Sequence, residues 1–257
     1  MTVPATDLGD RVLAALPRWL TEKVPRDHRE TDAAFHRRRR VVVGTALTGA
    51  TLLGAGLSTR PGSPQFYGLT LATAATWVVG GLVSGPLHLG RAQRRSPAGD
   101  AMLHRPVLVP VLVGAGAFGV FYGGALLCRH IPLLDRAISS VLEYAFQGSD
   151  RLVLVTTLAN GAAEEVFFRG ALYAAAGRHS PVVTSTGGYI LATVATRNPA
   201  LVLASAAMGA LFALQRRATG GIQAPMLTHL TWSTLMLRYL PPLFRRFQAR
   251  RQAGSGS

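Results

Sequence analysis

The sequence has little acidic charge and almost no cysteine. Of its 257 residues, 12 are Asp or Glu and 27 are Lys or Arg. Charged residues make up 15% of the chain, whereas soluble domains contain about 25%. The single cysteine, Cys128, excludes an intramolecular disulfide and a cysteine-ligated metal cluster. The composition therefore argues against an ordinary soluble protein.

Long uncharged runs occupy much of the first half of the chain. Val41–Ser58, Gln65–Leu87 and Pro106–Cys128 contain no charged residue. Each is long enough to cross a hydrocarbon core of about 30 Å. We predict an all-α, polytopic transmembrane helix bundle of about seven or eight spans. The 28 glycines suit close packing between such helices.

The net charge of +15 is attributed to lipid contacts and not to nucleic acid. Basic residues gather in cytoplasmic loops, where they contact anionic lipid headgroups. The run His36–Arg40 abuts the first span and predicts a cytoplasmic N-terminus. We expect membrane lipids as partners, no nucleic acid, and residence in a bacterial cell membrane.

The chain divides into four predicted segments. Residues 1–40 form a cytoplasmic amphipathic and basic segment, and residues 41–130 form the N-terminal transmembrane helices. Residues 131–240 form a transmembrane core, and residues 241–257 form a basic C-terminal tail. Within the first segment, Asp10–Val24 predicts either an interfacial helix or a mobile tail.

The core begins with an amphipathic pattern and continues with further apolar segments. Arg129–Arg151 predicts an amphipathic helix on the outer surface. A fourth span is expected over Leu152–Ala176. Pro181–Thr196 and Pro199–Leu214 are short for spans and predict a hairpin of two tightly packed or tilted helices. Gly221–Leu240 predicts the last span. A total of seven spans would leave the basic C-terminal tail on the outer side of the membrane, which disagrees with the rule that basic segments stay on the cytoplasmic side.

Three ionisable residues interrupt the fourth span. Glu164 and Glu165 are the only acidic residues within the proposed spans, and an ionised carboxylate at the bilayer centre costs about 2.5–3.5 kcal/mol. They should therefore face the protein interior or a water-filled cavity. Glu165 and Arg169 are four residues apart, so they can form an ion pair. Glu164 points about 100° away and is a candidate general base toward water.

His229 is the one histidine deep within a proposed span. Hydroxyl residues on the same helix make it polar, so we expect this helix to face the bundle interior. Opposite a Glu on another helix, the imidazole suits proton transfer or oxyanion stabilisation. The alternative is that the acidic pair and Arg169 form a purely structural ion-pair cluster.

The motif "EEVFFR" at Glu164–Arg169 resembles the EExxxR signature of the CPBP family, which contains CAAX prenyl endopeptidases and bacteriocin-processing proteins and is also called Abi. The similarity extends over about Leu152–Leu240, and "GALFALQRRATGGIQAPMLTHLTWS" resembles the passage before the family's third motif. The resemblance implies a glutamate-dependent intramembrane endopeptidase acting on a membrane-associated peptide. Glu164 would activate water, Glu165 would hold Arg169, and His229 would be the third-motif histidine.

Two positions depart from the family pattern. The FxxxH motif aligns best with Tyr189–Thr193, which places Thr193 where a histidine belongs, with Thr196 as the next candidate. Ser233 stands where the third motif has Asn or Asp. Thr193 and Ser233 can donate hydrogen bonds to a carbonyl but cannot exchange a proton near neutral pH. Losing an oxyanion donor costs about 2.7–4 kcal/mol.

These departures keep other functions open. The chain could be a catalytically inactive family member that acts as a membrane-bound binding or scaffold protein. A proton-coupled transporter is a weaker alternative, since no inverted repeat of broken helices is visible. No cofactor is expected. Zinc could bind one His and two Glu, but Glu165 is expected to be occupied by Arg169.

Overall fold

The computed structural model describes residues 31–95, 101–177 and 180–254. The predicted segment Asp10–Val24 lies outside these residues. The helices in chain order are α1 (Asp32–Gly56), α2 (Pro64–Ser84), α3 (Leu108–Cys128), α4 (Pro132–Gln147), α5 (Asp150–Glu164), a π-helix (Glu165–Leu172), α6 (Tyr173–Ala175), α7 (Pro181–Val194), α8 (Pro199–Thr219) and α9 (Gln223–Gly254). The fold is a helix bundle, as predicted.

Three helices are long and apolar enough to cross a membrane among the described residues. They are α2, α3 and α8. The first two correspond to predicted spans. The third corrects the prediction that Pro199–Leu214 is short for a membrane span, because the helix continues to Thr219. These helices fit a membrane protein, while the count of seven or eight spans and the orientation stay predictions.

A two-stranded sheet departs from the purely helical prediction. Strands β1 (Ala92–Arg95) and β2 (Ala101–His104) pair antiparallel between α2 and α3. The backbone N–H of Arg91 donates to the Thr219 carbonyl at 2.8 Å. This bond attaches the loop before the sheet to the turn between α8 and α9. In that turn Gly220 has a φ of 71°, which favours glycine.

The amphipathic helix and the helical hairpin are confirmed. Helix α4 lies within the predicted Arg129–Arg151 segment, and α7 packs against α8. Asn198 begins α8, since its side chain accepts from the N–H groups of Ala200 and Leu201. In α4, the Tyr144 hydroxyl donates to the Leu57 and Thr59 carbonyls, which joins this helix to the end of α1.

A buried aromatic cluster holds the helices that present the acidic pair. Trp77 of α2 is fully buried and stacks on Phe167 of the π-helix, with ring centroids 4.6 Å apart. Gly49 of α1 lies against the same indole. Close packing at this point fixes α1 and α2 against the segment that contains Glu164 and Glu165.

Candidate active site

The acidic pair lies where an α-helix changes into a π-helix. The predicted fourth span is helical from α5 to α6, but residues Glu165–Leu172 have the wider π geometry. The carbonyls of Phe168 and Arg169 accept from the Ser185 hydroxyl at 2.8 Å and from the Arg216 guanidinium at 2.7 Å. Interruptions of this kind are frequent at functional sites.

The predicted ion pair between Glu165 and Arg169 is present. Arg169 Nη1 lies 3.1 Å from Glu165 Oε1, and both side chains are fully buried. Arg169 Nη2 also donates to the Gly209 carbonyl at 3.3 Å. The pair therefore joins the π-helix to α8 as well as neutralising a buried charge.

His229 binds the second glutamate and faces the first. Its Nδ1 lies 2.9 Å from Glu165 Oε1, and its Nε2 lies 4.0 Å from Glu164 Oε2. The ring stacks on Phe212 with centroids 4.7 Å apart. The contact with Glu165 is not foreseen by the sequence analysis, and it orients the ring so that Nε2 points toward Glu164.

Glu164 is held by neutral hydrogen-bond donors. Asn160 Nδ2 donates to its Oε1 at 2.9 Å, and the Tyr189 hydroxyl donates to its Oε2 at 2.7 Å. No guanidinium forms an ion pair with Glu164 among the described residues. The predicted difference between the two carboxylates is therefore present: Glu165 has a cationic partner, whereas Glu164 has polar but uncharged ones.

Thr193 and Ser233 lie beside these groups. Both are buried and line the same cavity as Glu164 and His229. However, the Thr193 hydroxyl donates to the Tyr189 carbonyl of its own helix at 2.8 Å. In this conformation the Thr193 hydroxyl proton is donated within its own helix. Thr196, the other candidate, donates to the Thr193 carbonyl.

A single cavity contains both Glu164 and His229. Its volume is about 640 Å³, and Tyr189, Thr193 and Ser233 also line it. The remaining walls are mainly apolar and come from helices on every side of the bundle; they include Leu53, Phe66, Val120, Phe121, Ile138 and Leu142. The site therefore combines a small polar end with a large apolar space.

Tyr189 and Arg216 contact the site but are given no role from the sequence. Tyr189 appears there only as the first residue of the FxxxH alignment, and Arg216 is not considered. Arg216 is in fact buried. The sequence could have indicated these two residues only in a general way, because a phenol or guanidinium inside an apolar bundle needs a polar partner. Sequence spacing does not identify that partner.

The acidic pair and His229 do not fit a zinc site. Glu165 Oε1 already contacts both Arg169 Nη1 and His229 Nδ1. Zinc sites in enzymes use three protein ligands, and no group of three His, Cys, Asp or Glu side chains among the described residues is placed to hold a metal. We therefore assign no step to a metal.

The fold and the site define a helical membrane protein with paired glutamates and an imidazole beside one cavity. Residues 150–235 match the family model described as type II CAAX prenyl endopeptidase Rce1-like. The predicted resemblance is confirmed for this segment, which is about a third of the 257 residues. No curated protein and no solved structure matches the chain. Over these residues the chain is similar to type II CAAX prenyl endopeptidases.

Proposed function

We propose that the protein is an intramembrane endopeptidase that uses Glu164 to activate water. The observation that supports this proposal most is the separation of 4.0 Å between Glu164 Oε2 and His229 Nε2 beside the cavity. A water molecule that hydrogen-bonds both atoms would lie next to a base and an imidazole. This arrangement suits attack on a peptide carbonyl.

The proposed reaction is hydrolysis of one peptide bond. Glu164 removes a proton from water while the water oxygen bonds to the carbonyl carbon, and the carbonyl electron pair moves onto its oxygen. In its protonated form His229 donates from Nδ1 to Glu165 and from Nε2 to that oxygen. The electron pair on that oxygen then re-forms the carbonyl while the C–N bond breaks, and the leaving nitrogen takes the proton from Glu164.

The cavity favours an uncharged, apolar substrate segment. Its walls are mostly apolar, and α4 lines it from one side. A charged side chain would lose its hydration there without gaining an ion-pair partner. We propose a membrane-associated peptide or protein as the substrate, with the surrounding lipids as the remaining partners.

Comparison of peptide ends in whole membranes tests this proposal without a known substrate. Cells that express the wild type, Glu164→Gln or the control Glu143→Gln at equal levels are compared by mass spectrometry of new peptide ends. Glu143 is exposed on α4. We expect new ends with the wild type and the control, and a loss of about 10²–10⁴-fold with Glu164→Gln. Identical peptide ends in all three samples would refute the proposal.

One observation favours the second candidate, a catalytically inactive binding or scaffold protein. Thr193 occupies the position expected for a histidine, and its hydroxyl donates to its own helix. In that case Glu164→Gln leaves the cellular phenotype unchanged, while Arg169→Ala abolishes accumulation. A new histidine at that position, Thr193→His, would then produce proteolysis that the wild type lacks.

A further inference from the structure

We propose that Tyr189 is a positioning residue that holds the Glu164 carboxylate in its working orientation. This inference rests on the proposed function for its catalytic consequence, whereas the contact itself can be tested separately. The tyrosine lies on α7, and Glu164 lies at the end of α5. The contact therefore joins two helices that are distant in sequence.

The Tyr189 side chain contacts Glu164 and also the Arg169 guanidinium that pairs with Glu165. Its hydroxyl donates to Glu164 Oε2 at 2.7 Å. Its ring faces the guanidinium carbon of Arg169, which lies 4.5 Å from the ring centroid. Arg169 is in turn paired with Glu165. One side chain thus contacts Glu164 through its hydroxyl and the Glu165 ion pair through its ring.

The tyrosine has little freedom to leave this position. Its ring packs against Phe168, with centroids 4.9 Å apart. A methyl group added at Gly209 would lie 3.2 Å from Tyr189 Cδ1 and 3.4 Å from Arg169 Nη2. The absence of a side chain at Gly209 therefore lets Tyr189 and Arg169 pack together against α8.

The hydroxyl determines which atoms Glu164 presents to the cavity. Asn160 holds Oε1 and Tyr189 holds Oε2, so the carboxylate has a donor on each oxygen. His229 Nε2 lies 4.0 Å from the same oxygen, Oε2. Without the phenol, the carboxylate could rotate to bind the imidazole directly and close the space assigned to water.

Thr193 cannot take over this role in the observed conformation. It lies one helical turn beyond Tyr189 and lines the same cavity. Its hydroxyl donates to the Tyr189 carbonyl at 2.8 Å. The phenol is therefore the group from α7 that reaches Glu164.

Infrared difference spectra of the purified full-length chain in detergent test the contact. Tyr189→Phe keeps the ring that packs against Arg169 and removes only the hydroxyl. We expect this substitution to shift a carboxylate stretching band, and we expect no shift when it is made in a Glu164→Gln background. The control is Tyr67→Phe, since the Tyr67 hydroxyl is buried and has no hydrogen-bond partner among the described residues. An unchanged band, or one that shifts equally in the Glu164→Gln background, would overturn the proposal.

The peptide-end measurement tests the consequence for catalysis. Wild-type-dependent ends are the peptide ends that appear only when the wild-type protein is expressed. At equal protein levels and equal thermal stability, Tyr189→Phe should lower their yield at least tenfold, and Tyr67→Phe should leave it unchanged. A wild-type yield with Tyr189→Phe would refute the positioning role. If the wild type produces no such ends, the proposed function fails, and the infrared result alone decides whether Tyr189 positions Glu164.

Discussion

Glu165 contacts both a guanidinium and an imidazole in the site. Its Oε1 contacts Arg169 on the same helical segment and His229 on α9. It therefore acts on the imidazole directly and on Tyr189 through the guanidinium. The two adjacent glutamates thus have different tasks, because one is bound in an ion pair and the other faces the cavity.

Removal of the Arg169 guanidinium should destabilise the protein strongly. Arg169→Ala leaves Glu165 buried without its strongest partner, and loss of one member of a buried ion pair costs about 3–5 kcal/mol. Thermal unfolding in detergent and the level of accumulated protein measure the effect. Arg151→Ala is the control, since Arg151 is exposed at the start of α5. Equal stability of the two variants would contradict a buried ion pair.

Helix α1 owes its close approach to α2 to a glycine. A Cβ at Gly49 would overlap the Trp77 indole, whereas a Cβ at Gly44 on the same helix would meet no atom within 4 Å. We expect Gly49→Ala to destabilise the protein by about 1–3 kcal/mol, as overpacking does. Gly44→Ala should be neutral or slightly stabilising, because alanine favours helices. Unfolding midpoints measure both, and similar midpoints would contradict this packing.

The π-helix depends on donors from neighbouring helices. The Ser185 hydroxyl donates to the Phe168 carbonyl, so Ser185→Ala should cost about 0.5–1.5 kcal/mol. Ser205→Ala is the control, since the Ser205 hydroxyl is also buried but donates within its own helix to Val202. Its loss should cost less in the same unfolding measurement. A larger effect at Ser205 would show that the π-helix does not need the donor.

The sequence predicts those features of the site that depend on short spacing. Glu165 and Arg169 pair because they are four residues apart, and the amphipathic helix α4 follows from its periodic apolar residues. The contacts of Tyr189 with Glu164 and of His229 with Glu165 join helices distant in the chain. No local rule gives them, since they arise only when the bundle packs. The β-hairpin and the π geometry were likewise not predicted.

Residues from most helices of the bundle line the cavity, and Cys128, the one cysteine, lies half-buried in its wall. We therefore expect a thiol reagent to reach it. Alkylation with N-cyclohexylmaleimide should reduce the yield of wild-type-dependent peptide ends at least tenfold, because the added ring occupies space assigned to substrate. In Cys128→Ala the same reagent should change nothing relative to the untreated variant. Undiminished cleavage by fully alkylated protein would contradict the cavity as the substrate site.

The central claim is that Glu164 and His229 act as one unit across this cavity. The most direct measurement compares the yield of wild-type-dependent peptide ends for Glu164→Gln, His229→Gln and the double variant at equal protein levels. We predict that each single substitution lowers the yield about 10²-fold or more, and that the double variant is no worse than the more impaired single one. Effects that multiply in the double variant, or a wild-type yield from either single variant, would contradict the claim.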